Sequence, residues 1–280
     1  MRSMVEGFCR LVENPSTACG GSPPHEIVGR MMANLSDEEL DRYARHIVLP
    51  QVGGMGQRRL KEARIAVIGA GGIGSAVIPA LAGAGVGQLT IIDDDTVELG
   101  NLHRQPLFRE RDAGYSKADL ALQFVHRLNR HVDARPVQRR IDTSNAQELL
   151  ADHDLVVDGS DNFATRLAVS DACVALGIPL LSAAAVQFQG QVGLFKAQPC
   201  YRCFVGDAFD ADDCDNCAEL GVLGALTATV GSFAALLAID RTVGAGPPQE
   251  GQLHLFDGEK LEWRAIRIPP DPRCRVCGSA

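Results

Sequence analysis

The glycines that follow an apolar run near residue 68 have the spacing of a phosphate-binding turn. Residues 64–68 are mostly β-branched or apolar, and Gly69, Gly71 and Gly74 follow in the pattern G-x-G-x-x-G, with Gly72 between them. Such a turn lets the backbone approach a phosphate closely and directs a helix N-terminus at it. The pattern predicts a nucleotide site, and a tight strand–helix turn without a ligand is the alternative.

Charged and polar residues follow the later predicted strands, where they could act on phosphates. Asp93 ends the second strand and suits a ribose hydroxyl, an arrangement that an NAD-dependent dehydrogenase would share. The other candidates are Asn101, Arg104, Lys117, Asp158 and Asp161. Arginine and lysine suit a phosphate that is displaced, and aspartate suits a magnesium ion that bridges phosphates. The combination favours phosphate chemistry over hydride transfer.

Three Cys-x-x-Cys pairs contain six of the nine cysteines. The pairs are Cys200/Cys203, Cys214/Cys217 and Cys274/Cys277. Two such pairs can form a tetrahedral four-thiolate zinc site, and any two of the three satisfy the spacing. The third pair would then be free thiols. Because residues 1–30 lack the apolar core of a secretory signal, metal or sulfur chemistry is favoured over a disulfide framework.

The segments that position these residues alternate between strands and helices. Strands are predicted at 64–68, 89–93, 135–141, 154–158 and 179–184, and helices at 73–85, 116–130, 144–151 and 162–177. This order predicts an α/β fold with a Rossmann-like, mostly parallel sheet and helices on both faces. Ligands of such sheets bind beyond the carboxyl ends of the strands. A strand at 189–196 and a hairpin at 252–257 and 261–268 are expected to extend the sheet with antiparallel strands.

Three other segments complete the organisation. Residues 1–34 are predicted to be a disordered N-terminal extension, and residues 35–280 a single domain. Ser36 and Glu39 form a capping-box pattern that begins a helix predicted to run to Ile47, and Arg45 lies on its charged face. Residues 220–239 carry no charge. A membrane span is possible by length, but the many small residues favour a fully buried helix in the core or at a subunit interface.

The charge balance limits the partners of the chain. It has 27 basic and 35 acidic residues and a net charge of −8, which argues against a general nucleic-acid-binding protein. We therefore expect no nucleic-acid partner, no membrane association and a cytoplasmic location.

From about residue 35 to residue 278 the chain resembles the ThiF/MoeB/HesA family, relatives of the ubiquitin-activating enzymes. The resemblance is carried by RYARHI at 42–47, GAGGIG at 69–74, NLHRQ at 101–105, DGSDN at 158–162, CYRC at 200–203, CAELGVLG at 217–224 and CRVC at 274–277. It implies a homodimeric nucleotidyltransferase that uses ATP and magnesium. Its substrate would be the C-terminal glycine of a ubiquitin-fold sulfur carrier that ends in Gly-Gly, and pyrophosphate would leave. The adenylated carrier would serve thiamine or molybdopterin synthesis.

The resemblance also implies roles for individual residues. Asp93 would hold the ribose, and Asp161 would hold magnesium. The phosphates would be contacted by Asn101, Arg104 and Lys117. Arg45 would reach the ATP of the other protomer. Zinc would be bound by Cys200, Cys203, Cys274 and Cys277. Cys217 matches a loop cysteine that some members use in sulfur or acyl transfer.

The chain departs from the family pattern at several points. His103 stands where many members have glutamine, and little consequence is expected. Cys214 forms a second Cys-x-x-Cys with Cys217, and this pair could be a redox pair or could supply two of the zinc ligands. No sulfurtransferase domain follows Cys277, so a separate sulfur donor protein is expected. An NAD-dependent oxidoreductase and a non-catalytic scaffold for a ubiquitin-like protein are the alternative functions.

Overall fold

The computed structural model describes residues 35–206 and 220–278. Eight strands of this part of the chain form one sheet: β1 (Arg64–Ile68), β2 (Gln88–Ile92), β3 (Asp133–Val137), β4 (Leu155–Asp158), β5 (Leu180–Val186), β6 (Gln189–Phe195), β7 (Gln252–Asp257) and β8 (Glu262–Arg267). Their order is β3-β2-β1-β4-β5-β6-β7-β8. The first five strands are parallel, and β6, β7 and β8 extend the sheet in antiparallel pairs. The predicted fold class is confirmed.

The helices of the described residues cover both faces of this sheet. They are α1 (Asp37–Arg42), α2 (Ala44–Ile47), α3 (Gly53–Glu62), α4 (Gly74–Ala84), α5 (Lys117–Leu128), α6 (Ala146–Leu150), α7 (Phe163–Leu176), α8 (Tyr201–Val205) and α9 (Gly224–Val243). Because side chains alternate along a strand, Ile65 and Val67 join the core under α3, α4, α5 and α9. Ala66 and Ile68 join the core on the other face, under α6, α7 and α8.

Two predicted boundaries are wrong because of tertiary contacts, and one helix was missed. The helix expected from Ser36 to Ile47 breaks at Tyr43, whose backbone (φ −100°, ψ 12°) lets its ring pack on Gly85. Strand β3 ends at Val137 because it lies at the sheet edge and its only partner, β2, ends opposite it. Helix α3 was not predicted, since its three glycines and polar residues show little apolar periodicity.

Two further corrections concern the segments that flank the second cysteine pair. Residues 201–205 form helix α8, which is not among the predicted helices. Helix α9 begins at Gly224, four residues later than the apolar stretch, because Val222 forms a bridge with Gln187 and Leu223 stays extended. The predicted N-terminal extension (1–34) and the Cys214/Cys217 pair lie outside the described residues.

Helix α9 is a core helix with one buried face. Its 20 residues and a mean hydropathy of 1.3 make it long and apolar enough to cross a membrane by length and composition. It packs against α4, β5, α3 and β6. At Gly231 a methyl group would lie only 2.6 Å from the Ile73 carbonyl oxygen, so the small residues serve close helix contact. Leu236 is exposed in this single chain, so the other described residues leave part of the helix surface uncovered.

The sheet order reverses beside β1, and this places the loops of the site together. Strand β2 pairs with one side of β1, and β4 pairs with the other. At the carboxyl ends, the Gly69 N–H donates to the Ile92 carbonyl (2.9 Å), and the Gly159 N–H donates to the Ile68 carbonyl (2.9 Å). A crevice at such a reversal is where open α/β sheets bind ligands.

Candidate nucleotide-binding site

The glycine turn between β1 and α4 has the geometry that its spacing predicts. Gly69 has a φ of +85°, and a methyl group on Gly74 would lie 2.1 Å from the Gly69 carbonyl oxygen. A methyl group on Gly72 would press on Thr227 of α9 at 3.1 Å. At Gly71 the nearest atom would be Gln105 Nε2 at 3.7 Å, so the protein itself leaves space there. That space suits a ligand which approaches the backbone at the uncapped start of α4.

Gly74→Ala is expected to open this turn and to weaken ATP binding at least about tenfold, with about 1–3 kcal/mol lower stability. The matched control is Gly83→Ala in the same helix, where an added methyl group meets nothing within 4 Å. That control should gain about 0.5–1 kcal/mol from helix propensity. Calorimetric titration with ATP and thermal unfolding measure both effects. Unchanged ATP affinity in Gly74→Ala would refute the steric role of this glycine.

Asp93 lies directly after β2 and is bonded to the glycine turn. Its Oδ2 accepts from the Ala70 N–H (2.6 Å), and its Oδ1 accepts from the Asp95 N–H (2.8 Å). Burial raises the pKa of this carboxyl, and the charge of Lys117 opposes that shift. Each oxygen has a second lone pair that could accept from a ligand hydroxyl. Asp93 therefore lies beside the glycine turn and can still accept hydrogen bonds from a ligand.

Two cationic side chains lie at the same edge of the sheet. Lys117 begins α5 and is buried, and its Nζ donates to Asp95 (2.7 Å). Arg104 donates through Nη2 to Asn101 Oδ1 (2.8 Å), and its Nη1 lies 2.9 Å from His103 Nε2. Because a guanidinium only donates, His103 accepts there and carries its proton on Nδ1. The predicted cations are thus held in place by neighbours that leave further N–H groups for a ligand.

Asp161 lies in the loop after β4, on a turn that the buried side chains of Asp158 and Arg166 contact. Asp158 accepts through Oδ1 from the Ser160 N–H (2.9 Å) and hydroxyl (2.7 Å), so it shapes the turn, and its buried Oδ2 has no hydrogen-bond partner among the described residues. Arg166 of α7 donates to the Ser160 carbonyl and lies 4.0 Å from Asp158. Asp161 itself is exposed, and within the described residues it makes no hydrogen bond or ion pair. Its carboxylate is available to a cation at the edge of the crevice.

Gln105 is a site residue that sequence reasoning missed as an individual candidate. Its side chain is 3% exposed, and its Oε1 has no hydrogen-bond partner among the described residues. Its Nε2 faces Gly71 of the glycine turn. A buried amide oxygen without a partner is costly, so a ligand or water that donates to it would stabilise the site. The signal was its position directly after Arg104.

Arg45 does not join the other predicted residues in this chain. It lies on α2, which packs beside the C-terminal end of α4. There Gln57 connects His46 to the Ala84 carbonyl, and Asn129 connects Tyr43 to the Ala82 carbonyl. The glycine turn lies at the opposite end of α4, whose 11 residues span about 16 Å. Arg45 is exposed and makes no hydrogen bond or ion pair within the described residues. Arg45 therefore lies near the end of α4 that is opposite the glycine turn of its own chain.

Four cysteines form a candidate metal centre away from the crevice. They are Cys200, Cys203, Cys274 and Cys277, and their sulfur atoms all lie within 4.8 Å of one another. Cys200 is the N-cap of α8, and its Sγ lies 3.6 Å from Cys274 Sγ. The Asp271 N–H donates to Cys203 Sγ (3.4 Å). The cluster joins the C-terminal segment to the segment after β6, and it could bind a metal.

The thiols of this cluster differ in acidity. Burial raises the pKa of Cys200. Burial also opposes ionisation of Cys274, but hydrogen bonds from the Cys277 and Val276 N–H groups and from neighbouring thiols lower its pKa to about 7. A thiolate therefore forms readily at one corner of the site at neutral pH. A divalent cation would stabilise the remaining thiolates, because metal binding displaces their protons.

Comparisons with known proteins agree with this geometry. The family model described as the ThiF family matches residues 43–276. The chain is 45% identical over 250 residues to the sulfur carrier protein adenylyltransferase of Thermus thermophilus, covering 86% of this chain and 92% of the relative. It is 38% identical over 250 residues to the molybdopterin-synthase adenylyltransferase of Escherichia coli, covering 88% and 100%. A crystal structure of E. coli MccB with ATP shares the fold, with a TM-score of 0.77 and 22% identity over 89% of this chain and 76% of that one.

Proposed function

Because the chain belongs to the ThiF family, we propose that it adenylates the C-terminal glycine of a ubiquitin-fold sulfur carrier protein at the expense of ATP, with release of pyrophosphate. The family resemblance predicted from the sequence is confirmed, and the relatives are named as adenylyltransferases. The chain is accordingly a nucleotidyltransferase.

The observation that carries the proposal is the pairing of two cations with the glycine turn. Lys117 donates to the Asp95 carboxylate, the Asp95 N–H donates to Asp93, and Asp93 accepts from the Ala70 N–H of the turn. Arg104 precedes Gln105 in the chain, and Gln105 Nε2 faces Gly71. A glycine carboxylate is already ionised at neutral pH, so the reaction needs no general base. One carboxylate oxygen attacks the α-phosphorus, and the bond from that phosphorus to the pyrophosphate oxygen breaks. The cations lower the repulsion between the two anions and neutralise the leaving group.

We assign a magnesium ion to Asp161. The fit rests on its exposed carboxylate, a hard oxygen donor at the crevice edge that makes no hydrogen bond or ion pair among the described residues. When bound, the ion would neutralise phosphate charge. The protein contributes the rigid turn beneath Asp161, which Asp158 and Arg166 hold by their contacts with Ser160.

We assign zinc to the four-cysteine cluster. Four sulfur ligands in two Cys-x-x-Cys pairs match the donor set and number of a structural zinc site. Such an ion fixes a fold and takes no part in the reaction, which agrees with its distance in the chain from the crevice loops. Keeping these thiols reduced fits the cytoplasmic location that we expect.

We further propose a homodimer in which Arg45 acts on the nucleotide of the partner subunit. The position of α2 at the far end of α4 supports this role, because it separates Arg45 from the glycine turn of its own chain. Carriers of both the thiamine and the molybdopterin type are candidates. Cys217, outside the described residues, is proposed to act in sulfur or acyl transfer, and a separate protein is proposed to donate the sulfur.

The proposal is tested by exchange of labelled pyrophosphate into ATP in the presence of magnesium and each Gly-Gly-ended carrier in turn. We expect exchange that depends on the carrier and is lost when the last glycine is deleted. A carrier that alone supports exchange identifies the pathway. Absence of exchange with every such carrier would reject the hypothesis that the enzyme adenylates a carrier. Nicotinamide binding without exchange would favour an oxidoreductase.

A further inference from the structure

Two buried amide side chains fasten the helix that carries Arg45. Asn129, which follows α5, is 1% exposed. Its Nδ2 donates both to the Tyr43 hydroxyl (2.8 Å) and to the Ala82 carbonyl (2.7 Å). The Tyr43 ring packs directly on Gly85, where a methyl group would lie 2.5 Å from the ring. The start of α2 is therefore fixed to the last turn of α4.

Gln57 of α3 makes the second connection. Its side chain is fully buried, and its Nε2 donates to the Ala84 carbonyl (2.8 Å), a helix-end carbonyl that has no partner inside its helix. This bond fixes the amide orientation, so Oε1 faces His46 Nδ1 at 3.2 Å. His46 therefore donates from Nδ1, in its neutral form or its charged form. Arg45 lies between the two fastened residues, Tyr43 and His46.

We propose that Gln57 and Asn129 are positioning residues for Arg45, which they hold in the direction needed by the partner's nucleotide. The inference rests on the proposed function and adds two residues that lie at the end of α4 opposite the glycine turn. Both amides use carbonyls at the end of α4 opposite its glycine turn. The same helix thus anchors the phosphate turn of one site at its start and the arginine for the other site at its end. A misplacement of about 1 Å in such a residue can lower a rate a hundredfold.

The primary variants are Gln57→Leu and His46→Ala. Gln57→Leu removes both hydrogen bonds of the Gln57 side chain, to His46 and to the Ala84 carbonyl. His46→Ala removes only the bond to His46 and keeps the bond from Gln57 to Ala84. We expect both to lower the exchange rate with a Gly-Gly-ended carrier about tenfold to a hundredfold, with little change in ATP affinity. The matched control is Arg59→Ala, which removes a bond from α3 to the Val243 carbonyl of α9 and leaves α2 untouched. That control should retain the wild-type exchange rate.

Mixed dimers distinguish positioning from general damage. Gln57→Leu mixed with Arg104→Ala should regain roughly a quarter of the wild-type rate, since half the dimers are mixed and each has one complete site. Gln57→Leu mixed with Arg45→Ala should regain nothing, because both subunits lack a functional Arg45. A structural defect in the Gln57→Leu crevice would abolish the first rescue.

Each negative result rejects a different proposal. No exchange by the wild-type dimer would reject the proposed function. Full activity of Arg45→Ala would reject the role of that arginine. If Arg45→Ala is inactive while Gln57→Leu and His46→Ala are fully active, the positioning role is overturned. The positioning role is equally overturned if Gln57→Leu is inactive and Arg104→Ala does not rescue it.

Discussion

Replacing Arg104 with alanine is expected to lower carrier-dependent pyrophosphate exchange by about a hundredfold to a thousandfold, the usual cost of removing one aligned donor from a developing charge. The guanidinium is held by Asn101 and His103, so its direction is set before ATP binds. Alanine removes both the charge and the planar donors. The attacking carboxylate would then meet the α-phosphate with one less cation to reduce their repulsion.

Stability should change little, because Arg104 is partly exposed and its described partners lie within its own loop. Arg111→Ala is the matched control, since Arg111 is 70% exposed and is not a site residue. Arg104→Lys should recover only part of the rate, because lysine keeps the charge and loses the planar geometry. An Arg104→Ala variant that keeps more than about half the exchange rate would contradict a role in transition-state stabilisation.

Cys274→Ser is expected to release the metal and to lower stability by more than about 3 kcal/mol, since the binding energy of a structural metal is largely folding energy. Cys274 is buried and hydrogen bonds lower the pKa of its thiol to about 7, so its sulfur is a strong ligand near neutral pH. Without the ion, the C-terminal segment loses its tie to the segment after β6. Elemental analysis of the purified protein and thermal unfolding with and without a chelator measure both effects.

Two cysteine controls sharpen this result. Cys173→Ala changes a buried core cysteine outside the cluster and should retain the metal. Cys214→Ser should also retain it, because the four clustered sulfurs complete a tetrahedral site without Cys214. Metal loss in Cys214→Ser together with retention in Cys274→Ser would reassign the ligands.

The parts of the local geometry that sequence predicted are those set by steric and topological rules. Gly69 and Gly74 follow from a turn that no side chain fits, and the structure shows the clashes that an added methyl group would create. Asp93 and Lys117 follow from the rule that polar residues gather at the carboxyl ends of parallel strands. The βαβ order predicted the sheet because parallel neighbours need a crossover helix.

The parts that sequence missed depend on contacts between distant segments. The break at Tyr43 requires Gly85 and Asn129, which lie 42 and 86 positions further along the chain. Helix α3 forms in spite of its glycines because Leu60 and Gln57 are fully buried against other elements. Spacing alone left three partitions of the cysteine pairs open, and only the packing of the C-terminus against α8 brings one set together.

The most direct test of the adenylation claim is the intact mass of the carrier after incubation with the enzyme, ATP and magnesium. We predict that a Gly-Gly-ended carrier gains the mass of an adenylyl group (AMP less one water), that inorganic pyrophosphate reverses the gain, and that Arg104→Ala enzyme produces almost none. A carrier that keeps its original mass while the wild-type enzyme consumes ATP would contradict adenylation of the carrier.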